Sequence, residues 1–149
     1  MTQLTEHFTL EEFTVSETAA RRNISNVPSP QSYEYKNLQR IAKVMEEVRI
    51  LLNDKPIFIT SGYRGPQVNA AVGGSKNSAH MSGLAVDFYC PDFGTPKQIC
   101  KELEQHMKKL GIDQLIYEYG TWVHLGLSAN VPRHMALTID HRGTRNGFV

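Results

Sequence analysis

The sequence predicts an α+β domain, and three observations predict it. Helical patterns occupy the early chain, short β-rich stretches surround a set of histidines and carboxylates further on, and one amphipathic helix stands between those stretches. The chain has 149 residues, 40% hydrophobic and 21% charged. That is enough to bury the core of one ordinary domain, and it argues against global disorder. A single domain is expected over residues 1–149, with its core at about 8–127 and a C-terminal extension at 128–149. The net charge of +1 supplies no field to gather nucleic acid or an anionic membrane, although the stretch from Arg133 to Arg145 is locally basic. No apolar run approaches the ~20 residues of a membrane span, and the first residues lack the features of an export signal. Synthesis in the cytoplasm without membrane insertion is expected. Cys90 and Cys100 could pair, but a reducing compartment favours two free thiols.

Each element has its own signal. Thr9-Leu10-Glu11-Glu12 fits a capping box with Phe8 and Phe13 at staple positions, so a short helix should start there. Ser16 opens a second turn through Ala19, Ala20 and Arg22. Asn23 to Ser32, holding Pro28 and Pro30, reads as a loop, either a strap over the core or an arm on the substrate side. From about Tyr35 to Leu52, the residues Leu38, Ile41, Met45, Val48 and Leu52 recur at three and four and mark one face of a helix. Pro56 to Thr60 reads as a strand running into the turn Ser61-Gly62-Tyr63-Arg64-Gly65. The loop Val72 to Ser78 lacks the Gly-Lys-Ser/Thr ending of a phosphate loop, and a strand rather than a helix should follow it. Leu84 to Tyr89 alternates as a half-buried strand, with Ala85 and Asp87 on one face and Val86 and Phe88 on the other. Thr95 and Pro96 start a helix striped by Ile99, Cys100, Leu103, Met107 and Leu110 and stopped by Gly111, with His106 off the stripe. Asp113 to Glu118 and Trp122 to Leu127 form two strands around Tyr119-Gly120-Thr121. Ala136 to Ile139 suggests an edge strand, followed by a polar tail.

The chemistry gathers at His80, Asp87 and His124. Seen singly, Asp87 is a hydrogen-bonded turn or edge residue and His80 a loop histidine. Together with His124 they supply two imidazole nitrogens and a carboxylate oxygen, and three protein ligands plus a water are the pattern of a catalytic zinc site. His134 and His141 show no spacing that ties them to it. If the Tyr119-Gly120-Thr121 loop places Glu118 opposite Trp122, Glu118 shares a face with His124. Glu118 is then a candidate general base, with a salt-bridged edge glutamate as the alternative, and Trp122 lines the same face as a substrate contact. Arg64, at a strand end, is either a surface arginine or a bidentate anchor for an acidic or C-terminal group.

The pattern Ser78-x-His80-x-x-Gly83-x-Ala85-x-Asp87, preceded by Ser61-Gly62-Tyr63-Arg64 and followed by Glu118 and Trp122-Val123-His124, resembles the zinc D-alanyl-D-alanine carboxypeptidase family, the M15 peptidases. The likeness runs from about Phe8 to Leu127. The Phe8 to Phe13 opening and the Ala19 to Arg22 run are similar to the small phage and prophage members. The resemblance implies a fold shared with lysostaphin-type peptidases and the hedgehog domain: a small antiparallel sheet carrying a zinc site on one face, with helices on the other. It implies Zn²⁺ on His80, Asp87 and His124, Glu118 in the catalytic acid/base place, Arg64 in the place of the substrate-carboxylate arginine, and Ser78 near the substrate or holding its loop. Some members carry the glutamate three residues before the last histidine, where this chain has Thr121, but the longer spacing also occurs. The implied activity is a zinc metallopeptidase cutting peptidoglycan stem peptides or cross-links. It would be a monomer, endolysin-like, reaching the wall after release or delivery by a phage. A D-Ala-D-Ala carboxypeptidase and a non-catalytic, zinc-containing phage structural or binding module stay open as alternatives.

Overall fold

The computed structural model describes residues 1–149. Helix α1 spans Leu10–Thr14, and its capping box forms as predicted: Thr9 accepts from the Glu12 amide while the Glu12 carboxylate accepts from the Thr9 amide. Phe8 and Phe13, both buried, close the staple with ring centroids 6.0 Å apart. These contacts hold five residues that would not nucleate a helix alone. Ser16 caps α2, Glu17–Arg21, and a loop leads to α3, Tyr33–Leu51. The predicted stripe Leu38, Ile41, Met45, Val48 and Leu52 is wholly buried.

Strand β1 is Phe58–Ser61, followed by α4, Pro66–Ala71, a 3-10 turn over Ala79–Ser82, and β2, Ala85–Tyr89. The 3-10 turn stands between the loop and the strand that the sequence predicts, where a strand is expected to follow directly, and α4 occupies a stretch with no predicted element. At four and six residues they are too short for hydrophobic periodicity to reveal. The next helix is two rather than one: α5, Pro96–Glu104, and α6, Met107–Leu110, which Gly111 ends in the left-handed region. His106, at φ −117° and ψ 10°, breaks the ladder although no glycine or proline marks the place, and Leu103 and Met107 stay buried on either side.

Strands β3 (Gln114–Glu118), β4 (Trp122–Gly126), β5 (Met135–Asp140) and β6 (Gly143–Asn146) complete one six-stranded sheet of order β1-β2-β4-β3-β5-β6. The β3–β4 hairpin has the predicted register, with Glu118 opposite Trp122 and Ile116 opposite His124. The predicted edge strand needs correction. β5 is interior, parallel to β3 and antiparallel to β6. The true edge, β6, reads as polar tail because Gly143, Thr144 and Asn146 are exposed, so no apolar alternation betrays it.

The chain groups into two compact units, Met1–Glu46 with Ser61–Val86, and Glu47–Thr60 with Asp87–Val149. The first buries Phe8, Phe13, Leu38, Ile41, Met45 and Val68. In the second, α5 packs against β3 and β4, where Ile99, Leu103, Leu115, Val123 and Leu125 are wholly buried. Cys90 and Cys100 are both buried and free, and burial pushes the Cys100 thiol up to about 12, so it stays protonated. No helix is long and apolar enough to cross a membrane.

Asp113, at the start of β3, accepts from the Arg133 backbone and, through both oxygens, from its guanidinium at 2.7–3.3 Å. These bonds hold its carboxyl below the ordinary value of 3.8. Because the folded value is the lower one, the stabilisation is complete above about pH 3.8 and is lost as the pH falls through the folded value. Asp113→Asn is therefore expected to cost about 1–2 kcal/mol near pH 7, and the gap between the two melting temperatures should close below pH 3.8. An acid-independent gap in thermal unfolding would show that the charge is not what matters.

Candidate metal centre

His80 sits on the 3-10 turn, whose cap is Ser78: its hydroxyl accepts from the His80 amide at 3.2 Å. Gly83 ends the turn at φ +73°, and a Cβ there would lie 2.6 Å from the Glu34 carbonyl, so glycine is required both by conformation and by space. His80 is 3% exposed and its ring Nδ1 lies 2.7 Å from the Gly62 carbonyl. A carbonyl only accepts, so Nδ1 carries the hydrogen and Nε2 is the lone-pair nitrogen. A histidine whose second nitrogen is tied to a carbonyl is the usual form of a metal ligand. Gly62 is itself pinned, since a Cβ would stand 2.5 Å from the Phe13 carbonyl and the adjacent Tyr63 amide donates to that same oxygen. Arg64, expected at a strand end, lies three residues past β1. Its amide donates to the His80 carbonyl at 3.1 Å and its Nη2 to the Ser78 hydroxyl at 3.2 Å.

Asp87 lies in mid β2 and His124 in mid β4, with Asp87 Oδ1 2.8 Å from His124 Nδ1. The carboxylate of Glu118 is 3.8 Å from the same nitrogen. This follows from the hairpin register: residues directly opposite share a face, so Glu118, Trp122, Ile116 and His124 all point the same way. Trp122 has a buried indole N–H with no hydrogen-bond partner, and its ring is 5.8 Å from that of Tyr119.

His80, Asp87 and His124 each offer one ligand atom, and these atoms all lie within 4.8 Å of one another. Two imidazoles and one carboxylate fit Zn²⁺ in donor type and number, with a coordination position left over. Three pairs among the expected side chains are in direct contact: Arg64 with Ser78, Asp87 with His124, and Glu118 with His124. Asp113, a conceivable substitute for Glu118, is instead taken up by Arg133. The Gly62 carbonyl behind His80 has no signal in the sequence, because a main-chain oxygen carries no residue type.

A sequence profile of the Peptidase M15 family matches residues 6–126. The zinc D-Ala-D-Ala carboxypeptidase of Streptomyces albus G is 42% identical to this chain over 43 residues. That stretch is 29% of this chain and spans 17% of the relative's length.

Proposed function

Since the chain belongs to the Peptidase M15 family, we propose that it is a zinc metallopeptidase acting, as a monomeric single domain, on peptide bonds of bacterial peptidoglycan. The observation that carries the reading is the convergence of His80, Asp87 and His124 ligand atoms within 4.8 Å, with Glu118 3.8 Å from His124. Zn²⁺, when bound, supplies a Lewis acid for the scissile carbonyl and lowers the pKa of water toward ~7.

The remaining work belongs to side chains. Glu118 takes the proton of the attacking water on a carboxylate oxygen and returns it to the leaving amine nitrogen, so one group serves both steps. Arg64, with Nη2 on the Ser78 hydroxyl, grips a substrate carboxylate as a bidentate pair and so places the peptide bond to be cut. Trp122, on the Glu118 face, lines the substrate path.

Within this reading the bond cut is inside the stem or cross-link, an endolysin-like activity delivered to the wall by a phage, because opening the network requires it and trimming a terminal residue does not. Carboxypeptidase action is the second reading, supported by the similarity to the D-Ala-D-Ala carboxypeptidase. The test offers purified enzyme an uncross-linked pentapeptide ending in D-Ala-D-Ala together with a cross-linked dimer, and follows both by mass spectrometry. Cleavage of the dimer is expected. Release of free D-alanine with the dimer intact would establish the carboxypeptidase instead.

A further inference from the structure

Asn26 lies in the loop between α2 and α3, a stretch with no motif, yet it is only 6% exposed. Its amide nitrogen donates to the Thr14 carbonyl at 2.9 Å and to the Tyr63 carbonyl at 3.0 Å, and its amide oxygen accepts from the Gly65 amide at 2.9 Å. The partners fix which way the amide faces, since two carbonyls can only accept and a backbone N–H can only donate. Tyr63 and Gly65 are the two neighbours of Arg64. Asn26 thus grips the backbone on both sides of Arg64 and ties it to the C-terminal end of α1. The same segment is held from the other side, where the Arg64 amide meets the His80 carbonyl and the Gly62 carbonyl meets His80 Nδ1.

We propose that Asn26 is a positioning residue that sets the register of Arg64, and through it the enzyme's selectivity for a carboxylate-bearing peptide. The inference rests on the role given to Arg64 above. A long Arg side chain is mobile when its backbone is loose, and a bidentate grip rewards only a guanidinium presented at the right place. Three hydrogen bonds at the backbone supply that placement without touching the substrate.

The test compares wild type, Asn26→Ala, Asn26→Ser and Arg64→Ala on a soluble stem peptide and on the same peptide with its carboxylates amidated. Zinc content and thermal unfolding are measured alongside. Asn26→Ser keeps a small uncharged polar group that cannot span all three partners, so it serves if the alanine variant does not fold. The wild type is expected to prefer the carboxylate form, and the Asn26 variants to lose about tenfold of that preference through KM, with kcat and bound zinc little changed. Arg64→Ala should lose at least as much. A preference that collapses only in Arg64→Ala would overturn the inference and spare the role of Arg64. So would an equal loss on both peptides in the Asn26 variants, which marks a merely structural residue. A preference unchanged in every variant would remove the role of Arg64, and the inference with it.

Discussion

Replacing Glu118 by glutamine is expected to leave Zn²⁺ bound and to lower turnover at least ~100-fold, the lower end of what a positioned acid/base contributes. The substitution is nearly isosteric. Glu118 lies at the end of β3 opposite Trp122, and none of the three convergent ligand atoms belongs to it. What glutamine removes is the capacity to accept a proton and release it, so the loss should fall on kcat with KM little moved. Steady-state kinetics with metal analysis on the same preparation separates the outcomes. Near-normal turnover with zinc in place would take the acid/base role from Glu118. It would then have no ready heir, because Asp113 is committed to Arg133. Wild type that holds zinc without hydrolysing any stem peptide would instead favour a non-catalytic module.

The second large effect concerns the ligands. His80→Ala, Asp87→Ala and His124→Ala are each expected to abolish stoichiometric Zn²⁺ binding and, with it, activity. Two remaining ligands make a weak, poorly shaped site, and the ion is the strongest local charge in it. The three should differ in side effects. His80 is 3% exposed and tied to the Gly62 carbonyl, so its loss leaves a buried acceptor and should also lower thermal stability. Asp87 is less buried, and its replacement removes one of two carboxylates facing His124 Nδ1. Full metal content in all three variants, by elemental analysis after dialysis, would remove the ligand assignment outright.

Much of this site was legible in the order of residues. The ligand types, the seven-residue step from His80 to Asp87 and the Trp122-Val123-His124 triplet are properties of the chain itself. The placing of Glu118 beside His124 follows once the hairpin loop is Tyr119-Gly120-Thr121, a register that the structure supplies. Strand alternation and a three-residue loop are local rules, and together they fix which side chains share a face. The starts of α1 and α5 were legible for the same reason, in Thr9 with Glu12 and in Thr95 with Pro96, and the structure adds the Gln98 side chain to the second cap.

What the sequence determined by itself, then, is the candidate ligand types, the face-sharing rule of the β3–β4 hairpin and the buried stripe of α3. Only the tertiary structure decided that the three ligand atoms come within 4.8 Å, that His80 Nδ1 is taken by the Gly62 carbonyl, that Asn26 brackets Arg64, and that β5 lies inside the sheet parallel to β3. These are long-range pairings, many made by main-chain amides and carbonyls that every residue except proline carries alike. Their partners are selected by how the whole core closes, and no local pattern of side chains encodes them.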